Sequence, residues 1–190
     1  MKLMNILPFA HDLLKKAAST GDAVIDATVG NGNDTLFLAE LVGPAGKVFG
    51  FDIQEEAIRR TRERLEKHGQ TKQVVLFNRG HEHVKECIPP EYSGKIKAAV
   101  FNLGYLPKGD HSIVTKPETT IEAVRQILDI LAEEGLIVLV IYHGHPEGKI
   151  ERDAILEFVK QIDQQKAHVL KYQFINQKNN PPFIIAIEKR

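Results

Sequence analysis

Asp26-Ala27-Thr28-Val29-Gly30-Asn31-Gly32-Asn33-Asp34 lies between an apolar run, Ala23-Val24-Ile25, and an amphipathic one, Thr35 to Leu41. A short apolar run, a glycine turn and a helical pattern, in that order, predict strand, tight turn and helix. Glycine permits the left-handed backbone that such a turn needs, and the turn aims free N–H groups of the helix start at whatever lies above it. The next apolar run, Gly46-Lys47-Val48-Phe49-Gly50-Phe51, ends in Asp52. An acid at a second strand end can accept hydrogen bonds from two ribose hydroxyls.

The pattern continues outward. Residues 5–19 carry a helical stripe of Ile6, Ala10, Leu13, Leu14 and Ala17. A first strand at 22–27 leads to a helix at 33–42, and Gly43-Pro44-Ala45-Gly46 turns the chain into the second strand. The helix expected at 55–68 buries Ile58, Thr61 and Leu65 and carries Glu56–Arg60 and Glu63–Lys67 pairs in the favourable i,i+4 order. Its arginines therefore read as solvated and paired. A third strand spans 73–78, and a short helix from Glu82 is stopped by Pro89-Pro90.

A fourth strand spans 96–102, and a loop runs from Leu103 to Lys116. Pro117 opens a helix whose buried face is Ile121, Val124, Leu128 and Leu131 and which Gly135 is expected to end. Leu136 to Tyr142 is apolar on both faces, as a central parallel strand is. A helix at 149–166 follows, with Ile155, Phe158, Val159 and Ile162. The alternation then breaks, because 168–175 and 182–188 are both strand-like and too close for a parallel crossover. The expected fold is α/β, a doubly wound, seven-stranded and mostly parallel sheet. It has a C-terminal antiparallel strand, an N-terminal helix in front, and one domain over residues 1–190.

The 190 residues hold 25 Lys plus Arg against 25 Asp plus Glu, for a net charge of zero. Proteins that hold nucleic acid mainly through its phosphates carry a basic surplus, so strong non-specific binding is disfavoured. A local basic face remains open through Lys95, Lys97, Lys108, Lys116 and Lys149, whose alternative is ordinary solvated surface. No apolar run approaches the ~20 residues that span a bilayer, so no membrane association is expected. The N-terminus meets Asp12, Lys15 and Lys16 too soon for a secretory signal. The single cysteine, Cys87, cannot form an internal disulfide, which suits a reducing cytoplasm, and it reads as a structural thiol.

A dinucleotide fingerprint requires a third glycine, but Gly30-Asn31-Gly32 is followed by Asn33-Asp34-Thr35. Asp34 at the helix start would repel a pyrophosphate and welcome an ammonium group, such as the one in the methionine part of S-adenosylmethionine. The P-loop pattern is missing too. The turn, Asp26 at its strand end, Asp52 and the terminal hairpin together resemble the first motifs and sheet of class I S-adenosylmethionine-dependent methyltransferases. That resemblance, which covers essentially the whole chain, implies that Gly30, Asn31, Gly32 and Asp34 surround the methionine moiety, with Asp26, Asn33 and Asn102 also among the cofactor-binding residues. It implies that Asp52 binds the ribose with Ile53 and Gln54 beside the adenosine, and that His81 and Glu82 of Gly80-His81-Glu82 lie near the adenine. The alternative for Asn33 and Asp34 is a helix cap, and for His81 an ordinary loop histidine.

Asn102-Leu103-Gly104-Tyr105-Leu106-Pro107 closes the fourth strand beside the topological switch point, where ligands of such sheets bind. It resembles the Asn/Asp-Pro-Pro-Tyr/Phe motif of amino-group N-methyltransferases, with Leu103-Gly104 in place of the prolines. By that resemblance Asn102 accepts hydrogen bonds from the target amine and Tyr105 stacks on the substrate, the alternative being a turn residue and packing. Tyr142-His143-Gly144-His145 ends the fifth strand, with Tyr142 able to pack against a base and His143 able to take or orient a proton. The pairs His81/His83 and His143/His145 raise zinc, but no hydrolase spacing accompanies them, so no metal is expected.

Four segments together resemble one compact bacterial family of rRNA methylases: 26–34, Asn102 to Asp110, Thr115-Lys-Pro-Glu-Thr-Thr120 and Tyr142 to His145. That family is similar to tRNA wobble-uridine methyltransferases that convert 5-aminomethyl-(2-thio)uridine to the 5-methylaminomethyl form. The resemblance implies S-adenosylmethionine as cofactor, a tRNA anticodon loop as partner, and a homodimer. Four alternatives stand beside it. They are an rRNA methyltransferase, a small-molecule amine methyltransferase, an NAD-dependent oxidoreductase and a catalytically silent S-adenosylmethionine-binding scaffold.

Overall fold

The computed structural model describes residues 2–104 and 114–190. It contains a seven-stranded sheet: β1 (Ala23–Asp26), β2 (Lys47–Phe51), β3 (Val74–Phe77), β4 (Ile96–Leu103), β5 (Leu131–Ile141), β6 (Ala167–Tyr172) and β7 (Phe183–Lys189). The helices are α1 (Ile6–Ala17), α2 (Asn33–Val42), α3 (Glu55–Lys67), α4 (Val84–Cys87), α5 (Pro117–Ile130) and α6 (Pro146–Lys160), with short 3₁₀ turns at His81–His83 and Pro90–Tyr92. The strand order is β3-β2-β1-β4-β5-β7-β6. β1 to β5 pair in parallel, and β7 runs antiparallel to both β5 and β6. The expected doubly wound sheet with one reversed strand is thus the fold.

The two-residue period of the strands divides the core into two layers. Ala99, Phe101 and Leu103 of β4, Ile137, Leu139 and Ile141 of β5, and Phe183, Ile185 and Ile187 of β7 point to the α4, α5 and α6 side. Ala98, Val100, Val138, Val140, Ile184 and Ala186 point to the other face, against Ile6, Ala10 and Leu14 of α1 and Leu38 and Ala39 of α2. Both faces of the central strands are covered, which is why they are apolar throughout. The chain winds one way from β1 to β3 and the other way from β4, so a crevice opens between the C-terminal ends of β1 and β4.

Several element boundaries differ from expectation. Gly135 does not end α5. The helix stops at Ile130, and β5 begins at Leu131, opposite Ile96. The register then jumps, pairing Leu136 with Ala98, and the surplus residues bulge out through Glu134 at φ 59°. Gly135 is needed inside this bulge, where a Cβ would sit 2.7 Å from the Leu131 side chain and 2.9 Å from the Ala132 carbonyl. The helix end is satisfied from afar, since Lys189 Nζ on β7 donates to the carbonyls of Leu128 (2.9 Å) and Leu131 (2.8 Å).

α6 begins at Pro146, three residues early, because the His145 side chain accepts from the Gly148 N–H at 3.0 Å and Pro146 takes the first helical position. It also ends early, at Lys160. β6 ends at Tyr172, where the ring turns onto Phe9 of α1 and its hydroxyl donates to the Met4 carbonyl. The expected Glu63–Lys67 pair is replaced by Arg59–Glu63, whereas Glu56 does meet Arg60 at 2.7 Å. No helix among the described residues is long and apolar enough to cross a membrane.

Candidate active site

A cavity of about 990 Å³ fills the crevice at the C-terminal strand ends, at the upper end of the size of small-molecule sites. Its floor is the glycine turn. Gly30 (φ 53°) and Gly32 (φ 74°) are both left-handed, and Gly32 caps α2 with its backbone. A Cβ on Gly32 would lie 2.6 Å from Thr61 Oγ1, so α3 packs directly against the turn. Arg64 of α3 donates to the Asn31 carbonyl at 2.8 Å and Thr61 Oγ1 to the Gly30 carbonyl at 3.2 Å. Arg64 is therefore a brace of the turn and not the solvated pair expected of it.

Three carboxylates converge here with different tasks. Asp26 is 0% exposed and lies under the turn, outside the cavity lining. It accepts from Thr35 Oγ1 at 2.6 Å and the Thr28 N–H at 3.2 Å. Burial, reinforced by the charge of Asp34, pushes its carboxyl up to about 7. It holds the turn together from below and does not touch the cavity, contrary to its expected place in the cofactor shell. Gly32 likewise faces α3, while Gly30, Asn31, Asn33 and Asp34 line the cavity.

Asp52 accepts from the Gly30 N–H at 2.8 Å through Oδ2 and from the Gln54 N–H at 2.9 Å through Oδ1. Each oxygen keeps a further lone pair, which matches two neighbouring hydroxyls. Burial raises its carboxyl from the ordinary range, and the two backbone bonds oppose that rise. Ile53, 60% exposed, and Gln54 stand beside it on the cavity wall.

Asp34 does not cap α2, since that position falls to Gly32. Its Oδ2 accepts from Asn102 Nδ2, and its Oδ1 lies 2.7 Å from His11 Nε2 on α1. A carboxylate cannot donate, so this contact fixes the Asn102 amide with nitrogen toward Asp34 and leaves its Oδ1 free to accept. The Asn102 backbone N–H donates to Thr28 Oγ1 at 2.7 Å, which ties β4 to the glycine turn. Tyr142, 38% exposed, shares this part of the cavity. Burial and the Asp34 charge both raise its phenol, so it stays protonated at neutral pH.

His81 Nδ1 donates to the Ala27 carbonyl at 2.9 Å, so Nε2 carries the lone pair. That Nε2 is buried and has no partner among the described residues. Burial lowers the ring below the ordinary histidine range, which keeps it neutral. An orphaned buried acceptor in the cavity wall is a place for a ligand N–H or O–H. Glu82 folds back over Gly80, whose missing Cβ leaves room for the carboxylate. The orphaned acceptor, the doubly braced Asp52 and the close-packed turn fit an adenosine-bearing group.

His143 also borders the cavity. Its Nε2 donates to the Pro181 carbonyl at 3.0 Å, and its Nδ1 lies 3.5 Å from Arg152 Nη1. With both nitrogens engaged, the ring clamps the end of β5 to the β6–β7 connection instead of standing ready for a proton. Burial lowers it, keeping it neutral. Tyr105 and Lys108 lie outside the described residues. Lys116 borders the cavity, whereas Lys95 and Lys97 sit at the start of β4, the far end of the sheet.

Two features had no motif. Leu7 and His11 bring α1 into the cavity wall. Glu151 of α6, 2% exposed, accepts from Thr115 Oγ1 (2.5 Å) and Thr120 Oγ1 (2.7 Å). Thr115 in turn accepts from the Gly104 N–H and donates its own N–H to the Gly104 carbonyl, both at 3.0 Å. One knot of hydrogen bonds thus ties Gly104, Thr115 and Thr120 to Glu151, whose carboxyl is raised by burial. The threonines belonged to a quoted segment, but their acceptor lies 31 residues beyond Thr120.

Comparison with known proteins identifies the family. Residues 48–188 match the family model described as "Putative rRNA methylase". A "tRNA (mnm(5)s(2)U34)-methyltransferase, chloroplastic" from Arabidopsis thaliana is 36% identical over 188 residues, covering 95% of this chain and 68% of that protein. A crystal structure titled as a "putative rRNA-methylase" from Clostridium thermocellum superposes with a TM-score of 0.96 at 46% identity, covering all of both chains. SMU.1697c from Streptococcus mutans, described as "a putative methyltransferase" and in complex with S-adenosylhomocysteine, superposes with a TM-score of 0.89 at 40% identity over 99% of each chain. The oxidoreductase alternative is thereby set aside, and the cofactor is S-adenosylmethionine. The chain belongs to the rRNA methylase family and is an S-adenosylmethionine-dependent methyltransferase.

Proposed function

We propose that this chain methylates the aminomethyl nitrogen of 5-aminomethyl-(2-thio)uridine at the wobble position of tRNA, giving the 5-methylaminomethyl form. The observation that carries the reading is the Asp34–Asn102 contact, which turns a fixed carbonyl acceptor toward the cavity at the end of β4. An amine N–H matches that acceptor, and the name borne by the Arabidopsis relative supports the same target class.

Asp52, His81, Glu82, Ile53 and Gln54 would hold the adenosine part of the cofactor, and Gly30, Asn31, Asn33 and Asp34 the methionine part. When bound, S-adenosylmethionine supplies a methyl group on a sulfonium sulfur. The protein's remaining task is to present a nucleophile. An alkyl ammonium has no lone pair, and its pKa resembles that of lysine, about 10.4. Transfer from water into the partly apolar crevice lowers it. Asn102 Oδ1 then accepts one amine N–H and directs the lone pair, while Tyr142 offers its ring to the base. Positioning of this kind supplies much of the rate gain. A wobble base lies in a single-stranded loop, where bases can be splayed and stacked. A chain of zero net charge can meet one such loop through local contacts such as Lys116 at the cavity rim.

Nucleoside mass spectrometry of tRNA incubated with the purified protein and S-adenosylmethionine tests the reading. Conversion of 5-aminomethyl-(2-thio)uridine to its methylated form is expected. Methylation of rRNA or of free amines, with the wobble nucleoside untouched, would replace it.

A further inference from the structure

His11 belongs to no motif, yet it completes a chain of polar contacts in the cavity wall. Its Nε2 lies 2.7 Å from Asp34 Oδ1, and Asp34 Oδ2 receives Asn102 Nδ2. The ring is stacked on Phe37 with centroids 4.0 Å apart and planes at 7°, which fixes its tilt. It borders the cavity and is 35% exposed. Because an ionised carboxylate only accepts, the neutral ring carries its hydrogen on Nε2 and its lone pair on Nδ1. That Nδ1 has no partner among the described residues. A carboxylate fixing the tautomer of an imidazole, with the other nitrogen open, is the arrangement of a general base.

We infer that His11 is the proton acceptor of the reaction, taking a proton from the substrate ammonium before methyl transfer. The inference rests on the amine reading above. In this step one N–H bond of the ammonium breaks and its electron pair stays on nitrogen as the nucleophilic lone pair. The proton forms a new bond at His11 Nδ1, and Asp34 balances the imidazolium charge through Nε2–H. The proton then leaves to water at the exposed part of the ring. Asn102 and His11 thus act on the same nitrogen from the two sides of Asp34, one orienting it and the other deprotonating it. The charged groups around the ring are Lys15 on its own helix, whose ammonium lies over Phe37, and Asp34 on α2 with Asp26 beneath it. Tyr142 at the end of β5 also senses the Asp34 charge.

His11→Gln separates this role from a structural one, because its amide N–H can still reach Asp34 while no titratable acceptor remains. His11→Ala removes both. Aminomethyl-bearing tRNA is the substrate, kcat is followed from pH 6 to 10, and S-adenosylhomocysteine binding is measured by calorimetry. Both variants should bind S-adenosylhomocysteine within twofold of wild type and lose at least tenfold in kcat at pH 7. Their rates should climb about tenfold per pH unit toward wild type as the amine deprotonates by itself. Nitrogen-15 spectra of the wild-type ring should show hydrogen on Nε2 and none on Nδ1. A His11→Gln enzyme with wild-type rate and pH profile, or a ring protonated on Nδ1 alone, overturns the inference and leaves the amine reading intact. A wild-type enzyme inert toward this tRNA at every pH overturns the amine reading and the inference with it.

Discussion

Replacing Asp26 by asparagine should make the ligand-free protein less sensitive to pH, and at pH 8 more stable than wild type. Asp26 is fully buried, and its neighbours Asp34 and Asp52 add repulsion to the cost of burial. The carboxyl rises from 3.8 to about 7, and at about 1.36 kcal/mol per unit a shift of about three units corresponds to roughly 4 kcal/mol. The sign follows from proton counting. Between about pH 4 and 7 the unfolded chain has released this proton while the folded chain keeps it, so stability falls as pH rises through that window. Above it the loss is complete and constant. Asparagine preserves the shape and an acceptor for the Thr28 N–H, at a cost of about 1 kcal/mol for the altered bond to Thr35.

Urea unfolding of wild type and Asp26→Asn at half-unit steps from pH 4 to 8 measures the difference. Other titrating groups cancel in the subtraction. The gap should grow by several kcal/mol in favour of the variant and level off above pH 7. A gap independent of pH would refute the reasoning, because the carboxyl would then titrate alike in both states. The functional corollary is that a buried negative charge under the turn favours a cationic occupant of the cavity above, and S-adenosylmethionine carries a net positive charge.

The remaining expectations follow from single contacts. Asp52→Ala removes the acceptor of the Gly30 and Gln54 N–H groups and should weaken S-adenosylhomocysteine binding about 10- to 100-fold by calorimetry; unchanged affinity would place the ribose elsewhere. Asn102→Ala should lower kcat at least about tenfold with cofactor affinity within threefold, since it acts by positioning; an equal loss in both would make it a cofactor ligand. Gly32→Ala forces a left-handed alanine against Thr61 Oγ1 and should cost on the order of 1–3 kcal/mol in thermal unfolding; a neutral result would mean that α3 gives way. His143→Asn should lower stability by about 1–2 kcal/mol and leave the pH profile of kcat unchanged, because both ring nitrogens are already bonded; loss of an acid limb would restore it as a base.

Elements with strong local signals were legible in the chain. The glycine turn, the two strand-end acids and the antiparallel terminal pair all depend on residues adjacent in sequence, and they point to a doubly wound sheet with a reversed terminal strand. What escaped depends on distant partners. Gly135 looked like a helix stop, but the α5 end is set by Lys189 from β7, about 60 residues away. His143 reads as free in sequence, but the Pro181 carbonyl that accepts its N–H arrives from the β6–β7 connection. Asp26 and Asp34 are both acids at the turn, and only tertiary packing separates the buried brace from the one that faces the cavity. Pro146 obeys the same first-turn rule that places Pro117, so the start of α6 is legible locally.

The most direct measurement of the central claim is a crystal structure of the protein with S-adenosylhomocysteine at high occupancy. The ribose hydroxyls should lie within hydrogen-bond distance of the Asp52 carboxylate, with the sulfur facing the part of the cavity bounded by Asn102, Asp34 and Tyr142. A ligand bound away from Asp52, or one whose sulfur is turned from Asn102 toward the far wall, would contradict it.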